Sequence, residues 1–366
     1  MLQKIILLTI YLLGSSILSI GLLEFKVKGK VGFIDTSGMI IIEPYYDRTE
    51  IEPFNHSDLA FVYSNGKCGY INNKNQIIIK LEFYECNPFH GDYAIVIDRW
   101  ECKDHNAFYR HSIINKNGTI LNSFEDKELI SYSEGYFVYN LEKERECGYE
   151  SHSKSSIGNY GFLDKNGNEV PKIKYDYIVG FSDGLAIVKS KGKWGIIDRK
   201  FNLVIPIIYE SILPFYSGYS TIHQNSESAT INSKLEIVIP FGNFFSIWEF
   251  SDGLASACKH KLPKNLEKIE CTKVIIDEKG KILFEETNDI KYIQYFYNGL
   301  AVATNKNGYQ GLIDKSFQWV LKPKFFHIRL FQNGAKQVYN TQDDYQKNRF
   351  CLIDNKENVI WKHPDL

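Results

Sequence analysis

No stretch of the sequence is rich in the alanine that long helices need, which points away from a helical protein. Surplus charge of either sign is missing too, since 43 Lys and Arg stand against 44 Asp and Glu. Without a basic excess there is no electrostatic footprint for a phosphate backbone or an anionic membrane, so nucleic acid is not an expected partner. Beyond the N-terminal apolar run, no second run is long enough to cross a bilayer. No cysteine lies in or just after that run, which argues against a lipid-modified cysteine there. Also absent are the Gly-x-Ser-x-Gly elbow, the HExxH pair, a Gly-rich phosphate loop, and CxxC or HxxxH spacings. Nothing therefore singles out a catalytic, cofactor-binding or metal-binding residue, and no cofactor is expected.

What is present favours strands. The 366 residues include 24 Tyr, 24 Phe and 5 Trp, with abundant Ile and Val, and β-branched and ring side chains suit a pleated, half-buried surface. A chain of this length with 44% hydrophobic residues can bury a large core. The N-terminus reads as an export signal over 1–19: Lys4 supplies a positive charge, residues 5–13 are apolar apart from Thr9 and Tyr11, and the small residues after Leu13 suit cleavage after Ser16 or Ser19. An uncleaved anchor helix over 5–23 is the alternative.

An (Ile/Leu)-(Asp/Asn) anchor recurs nine times, at Asp35, Asn72, Asn115, Asp164, Asp198, Asn232, Asp277, Asp314 and Asp354, five times as a full Gly-x-(Ile/Leu)-(Asp/Asn) pattern and four times with Ser112, Ala229, Val274 or Cys351 in place of the Gly. The spacing is 34 to 49 residues, and the residue before each anchor is always Ile or Leu. Three residues before the anchor stand Gly32, Gly69, Gly161, Gly195 and Gly311. Eleven residues after it stand Tyr46, Phe83, Tyr175, Tyr209 and Phe325, often just past a Pro, and further on comes Phe54, Phe89, Phe181, Phe215 or Phe331. At such repeat-defined positions rings are expected in the core. The cleanest copy reads as a meander of four extended segments, 185–189, 193–198, 203–207 and 211–215. In it, Gly195 leaves a gap expected to take an aromatic ring from the neighbouring unit, Asp198 starts a turn, and Pro206 suits an edge or a bulge. The spacing from Gly21 to Asp35 equals that from Gly184 to Asp198, so the first strand is expected from about Gly21, which favours cleavage of the leader.

The copies Lys193-Trp194-Gly195-Ile196-Ile197-Asp198, Lys30-Val31-Gly32-Phe33-Ile34-Asp35 and Lys67-Cys68-Gly69-Tyr70-Ile71-Asn72 resemble the WG-containing repeat family, also called KWG repeats. The resemblance covers nearly all of 20–366, as about eight full repeats and a partial ninth. It implies a mostly bacterial, often exported kind of protein and no particular activity. The expected fold is all-β, a propeller-like ring of four-stranded antiparallel meanders. An open β-repeat solenoid, each unit packing only on its neighbours, is the alternative.

Asp164-Lys165-Asn166-Gly167-Asn168-Glu169 has the alternating oxygens of a calcium loop, but its sister turns at Asp198 and Asp314 lack them, so a hairpin turn is the better reading. Cys102, His105 and His111 are the densest set of metal-ligand types, and a solvated loop accounts for them without a metal. Seven cysteines leave at least one unpaired within the chain, and Cys258 with Cys271, flanking a long insert on adjacent strands, form the candidate disulfide. Inserts at 99–110, 141–158, 259–270 and 341–348 vary between units as binding loops do. The functional expectation is an exported, non-catalytic scaffold in the periplasm, at the cell surface or secreted, binding a protein or surface glycan. A glycosidase-like hydrolase in a channel or among the inserts is the alternative.

Overall fold

The computed structural model describes residues 22–49, 57–103, 106–141, 145–146, 158–171, 173–259, 272–285, 287, 289–331, 335–354 and 356–366. The expected export segment, Phe54, His105 and Cys271 lie outside the described residues. Nine antiparallel sheets follow one another along the chain, six of them with four strands in sequential order. The first and fourth sheets have three described strands and the third has five. Among the described residues the single helix is Gln342–Gln346.

The fifth sheet shows the plan. Its strands are Tyr177–Ser182, Leu185–Ser190, Lys193–Asp198 and Leu203–Tyr209. The sequence reading put the segment after Tyr209 in this unit, whereas Ser211–Ile212 pairs with Tyr219–Gln224 and opens the sixth sheet. The reason is steric. Only Glu210 separates the two strands, and an antiparallel hairpin needs a loop of at least two residues, so the chain must step to the next sheet.

The sheets form a closed β-propeller and not an open array. Nine buried apolar clusters join them, each drawn from two successive sheets. An open array of nine would have eight such junctions. The ninth packs Leu23, Phe25 and Ile34 of the first sheet on Phe331, Tyr339, Phe350 and Leu352 of the last. Phe25 meets Trp361 edge-on at 5.3 Å, and His363 Nε2 hydrogen-bonds the Lys26 carbonyl at 2.7 Å. Closure thus comes from face packing, with no strand exchanged between the first and last sheets among the described residues. The recurrent rings lie in these clusters: Phe89 is 0% and Phe250 2% exposed. First strands pack on the preceding sheet, while fourth strands form the splayed outer edge and expose Ile78, Val204 and Val320.

The repeated glycine has a different role from the one its sequence suggests. A Cβ at Gly195 would lie 2.7 Å from the Ile205 carbonyl oxygen, and one at Gly32 would lie 2.5 Å from that of Ile42. The occupant is the backbone of the fourth strand of the same sheet, not a neighbour's aromatic ring. Pairing there jumps from Ile196 with Ile205 to Trp194 with Tyr209, so the strand bulges inward around Pro206 and needs the missing side chain. Gly161 instead faces a ring, that of Tyr139 in its own sheet, and Gly311 meets the Trp319 ring of its own sheet as well as the strand backbone.

All nine anchors build the same turn. Each side-chain oxygen accepts backbone N–H bonds from the second and fourth residues beyond it, at 2.7–3.0 Å. The third residue beyond takes positive φ, from 59° to 85°, in every copy. Glycine holds that position in four copies, yet Phe201 and Phe317 also adopt it. Their rings repay the strain by packing on the preceding sheet: Phe201 lies 5.4 Å from Phe162 and 5.9 Å from Phe181, and Phe317 stacks on Phe284 at 4.7 Å.

Candidate functional site

In sheets one, two, five and six, the second and third strands of the repeat are joined by two residues, Lys28-Gly29, Asn65-Gly66, Lys191-Gly192 and Asn225-Ser226. Both residues of each turn have positive φ, the backbone of tight type I′ hairpins. All four inserts replace this same turn, in the third, fourth, seventh and ninth sheets. The blades repeat by rotation about the ring axis, so every second-to-third connection leaves on one face. The anchor turns, between third and fourth strands, leave on the other.

Two inserts are joined to each other. In the third sheet the insert is no solvated loop but an extension of the hairpin Tyr93–Lys103 and Asn106–Asn115. Arg145–Glu146, from the insert of the fourth sheet, pairs with that extension. At the hairpin's base Arg110 forks onto Asp98 at 2.6 and 3.1 Å. In the ninth sheet the insert is the helix Gln342–Gln346, capped by Thr341, whose hydroxyl accepts from the Asp344 N–H at 3.1 Å.

Beside that helix, between the eighth and ninth blades, lies a cavity of about 560 Å³. Tyr292–Tyr297 and His327–Leu330, the first strands of the two blades, form its floor. Tyr345, 47% exposed, and Tyr295, 43% exposed, line its wall, and the Tyr295 hydroxyl donates to Glu249 at 2.5 Å. His327 sits 4.5 Å from Tyr345 and 5.8 Å from Tyr339, and burial holds its imidazole below the ordinary value, so it is neutral at pH 7. Burial pushes Tyr339 up to about 12, and its hydroxyl donates to Asn348 at 2.7 Å. From Arg329 and Asn348 a space of about 20 Å³ continues toward Glu24, Gln337 and the first blade. Glu24 is raised by burial, against the opposing charges of Arg329 and Lys26. The Arg329 guanidinium lies 4.7 Å above the Phe331 ring. It has no ion pair or hydrogen-bond partner among the described residues. A second, apolar cavity of about 190 Å³ lies between the seventh and eighth blades, lined by Trp248, Phe284, Ile290 and Tyr292.

The sequence candidates are placed as follows. Asp164 accepts from the Asn166 and Asn168 N–H groups at 2.8 and 2.9 Å, so the calcium-like stretch is a hairpin turn. Cys102 is disulfide-bonded and hence no thiolate ligand, and His111 is 5% exposed on a strand. Cys258 is also disulfide-bonded, but the proposed partner Cys271 lies outside the described residues. Cys68–Cys86, missed from the sequence, ties the second blade to the third across 18 residues, and Cys351 is free and buried. Sequence reasoning also missed the cleft around Arg329. The residue after the buried Ile of a first strand is Val179, Leu213, Trp248, Gln294 or Arg329 in successive blades, and that variation was the available signal.

No curated protein matches the chain. Among solved structures, a eukaryotic initiation factor superposes with a TM-score of 0.56 at 10% identity, over 93% of this chain and 94% of that one. Apo AztD from Citrobacter koseri gives 0.41 at 11%, covering 92% of each chain. BamB from Moraxella catarrhalis gives 0.38 at 9%, over 87% of this chain and 90% of that one. At such identities the likeness is one of fold alone. Residues 32–68, 69–97, 160–194, 194–226, 230–262 and 311–335 match the WG containing repeat, together more than half of the chain. The unmatched stretches hold three inserts entirely and most of the fourth. The chain is a β-propeller repeat protein and belongs to the WG-containing repeat family.

Proposed function

We propose that this propeller is an exported, non-catalytic scaffold that binds a protein or surface glycan through the face bearing the inserts. One observation carries the reading: four inserts, far apart in sequence, all replace the same hairpin turn and so rise on one face of a nine-bladed ring. Rigid blades presenting variable loops on one side are the usual way a repeat scaffold makes a recognition surface. Pairing between two inserts supports a continuous surface over separate loops. The Cys68–Cys86 disulfide, with Cys102 and Cys258 also bridged, supports an oxidising compartment, as an exported protein would meet.

The test is loop replacement. Residues 341–348 and, separately, 99–110 are exchanged for an Asn-Gly turn like Asn65-Gly66, and Lys200→Glu on the opposite face is the control. Binding is measured to the polysaccharide and the solubilised protein of the cell envelope as separate fractions. Saturable binding to one fraction, lost on loop exchange and kept in the control, is expected. Binding that survives both exchanges, or fails equally in the control, rejects this face as the binding surface. Export is read from the mass of the protein in the envelope or medium, with a mature N-terminus at residue 20 expected.

A further inference from the structure

We propose that the cleft joining the eighth, ninth and first blades binds a carboxylated saccharide, with Arg329 taking the carboxylate and Gln337 a hydroxyl group. The inference rests on the insert face being the binding face and names the ligand class for it.

Three observations converge. The first is the Arg329 guanidinium, which lies over the Phe331 ring, feels the charge of Glu24 and has no hydrogen-bond or ion-pair partner among the described residues. A planar fork of N–H donors matches a carboxylate in two parallel bonds. The second is an orphan acceptor. The Gln337 side-chain oxygen is buried without a partner, in a residue 3% exposed, and the side chain borders the same small space as Arg329. Leaving such an oxygen unbonded carries a desolvation cost that a donor entering the space would recover. At about 20 Å³ the space takes a group the size of water, so a hydroxyl fits and a peptide side chain does not. The third is the wall. Tyr295 and Tyr345 line it and are 43% and 47% exposed, and the amides of Gln294 and Gln346 have no hydrogen-bond partner among the described residues. At about 560 Å³ the main cavity falls in the range of about 300–1,000 Å³ typical of small-molecule sites.

A sugar acid supplies each complement: a carboxylate, hydroxyls that donate and accept, and a ring face to lie on tyrosine. A peptide C-terminus supplies the carboxylate but no hydroxyl for the small space. The charged and titratable groups bordering the two spaces are Glu24, Arg329, His327, Tyr295, Tyr297, Tyr339 and Tyr345. Glu24 is the one carboxylate among them, and burial raises it, so an incoming anion shifts it toward the neutral form.

The experiment is calorimetric titration of the purified full chain with trigalacturonate, a glucuronate-containing trisaccharide and sialyllactose. The methyl esters, neutral maltotriose and the dipeptide Tyr-Tyr are comparators. At least one acidic sugar is expected to bind, with its ester at least tenfold weaker. Arg329→Ala should lose 30-fold or more and Gln337→Leu several-fold, while Arg329→Lys keeps part of the affinity because a point charge lacks the fork. Should a variant fail to fold by thermal melting, the ester comparison on the unaltered protein still decides. No acidic sugar binding, equal binding of acid and ester, affinity unmoved in Arg329→Ala, or Tyr-Tyr binding as tightly would each overturn the assignment. If no sugar binds while loop exchange still abolishes envelope binding, the ligand class fails and the face reading stands. If sugar binds while loop-exchanged protein still holds the envelope, the face reading fails.

Discussion

Ring closure by face packing makes the termini as important to stability as any internal blade, and Phe25→Ala measures this directly. Phe25 is 1% exposed, with its ring against Trp361 of the last blade. Removing a buried phenylalanine costs about 3–5 kcal/mol through lost transfer energy and the cavity left behind. Unfolding entropy of about 2.1 cal/mol/K per residue gives about 0.6 kcal/mol/K for the roughly 300 described residues, so Tm should fall by about 5–8 °C. The internal standard is Phe162→Ala. Phe162 is 0% exposed at the junction of the fourth and fifth blades, with Phe181 at 5.2 Å and Phe201 at 5.4 Å. Urea unfolding at pH 7 followed by tryptophan fluorescence, with calorimetric melting, compares the two. A closed ring requires similar losses. If Phe162→Ala costs the full amount while Phe25→Ala stays within about 1 kcal/mol of the parent, truncation at the closing junction leaves no cavity and the ring is open.

The repeat and the Cys68–Cys86 bridge set four further outcomes. Phe201→Gly relieves positive φ, worth about 1 kcal/mol, but loses a ring packed on the preceding sheet, worth about 3, so denaturation should show a net loss of about 2 kcal/mol. Glu357→Gly has the same dihedral problem on an exposed turn and gives up only an exposed ion pair with Lys324, so it should stay within about 1 kcal/mol of the parent; a loss equal to that at Phe201 would refute the packing account. The backbone N–H of Asn202, above all, holds the Asp198 carboxyl below its ordinary value. A folded pKa below the unfolded one means its contribution is complete above about pH 4 and is lost as pH falls through the folded value. Asp198→Asn, the residue found at Asn72, Asn115 and Asn232, should match the parent at pH 7 and unfold with a shallower dependence below about pH 4; an unchanged acid slope would contradict this. Replacing Cys68 and Cys86 together by Ala opens this bridge over 18 residues while leaving those of Cys102 and Cys258, and should cost about 3 kcal/mol; equal melting of variant and parent would show the bridge contributes nothing.

The anchors were legible because their physics is local. Asp198 needs only its next four residues to build a turn, so nine copies could be read without knowing any long-range contact. Phase and closure were not. A meander repeated end to end has no intrinsic starting strand, and the one clue, a single residue between Tyr209 and Ser211, was passed over. Closure depends on Phe25 and Trp361, more than three hundred residues apart, and face packing leaves no exchanged strand to betray it. Gly195 was read correctly as a gap and wrongly as to its occupant, because an inward bulge is a property of pairing register and not of composition. The cleft was illegible for a related reason: Arg329 and Gln337 are cross-strand partners in the ninth blade, but only the closed ring brings Glu24 of the first blade to them.

Why variation gathers on one face follows from what each part of a blade must do. Strand residues are fixed twice, by pairing within the sheet and by the cluster at each junction, so Ile197 or Phe162 cannot change size without leaving a cavity or forcing a clash. The anchor turn is fixed by its side-chain bonds and by the left-handed residue that follows. The second-to-third turn is fixed by neither. It need only reconnect two strands already held by their neighbours, and lengthening a loop costs little, about 0.6 kcal/mol per doubling. Insertions therefore accumulate there at least cost, and because every blade repeats the same hand, they accumulate on one side. Any ligand acquired by this fold should be sought on that face first, at junctions such as that of the eighth and ninth blades, where an insert overhangs a first strand whose side chains face a cavity.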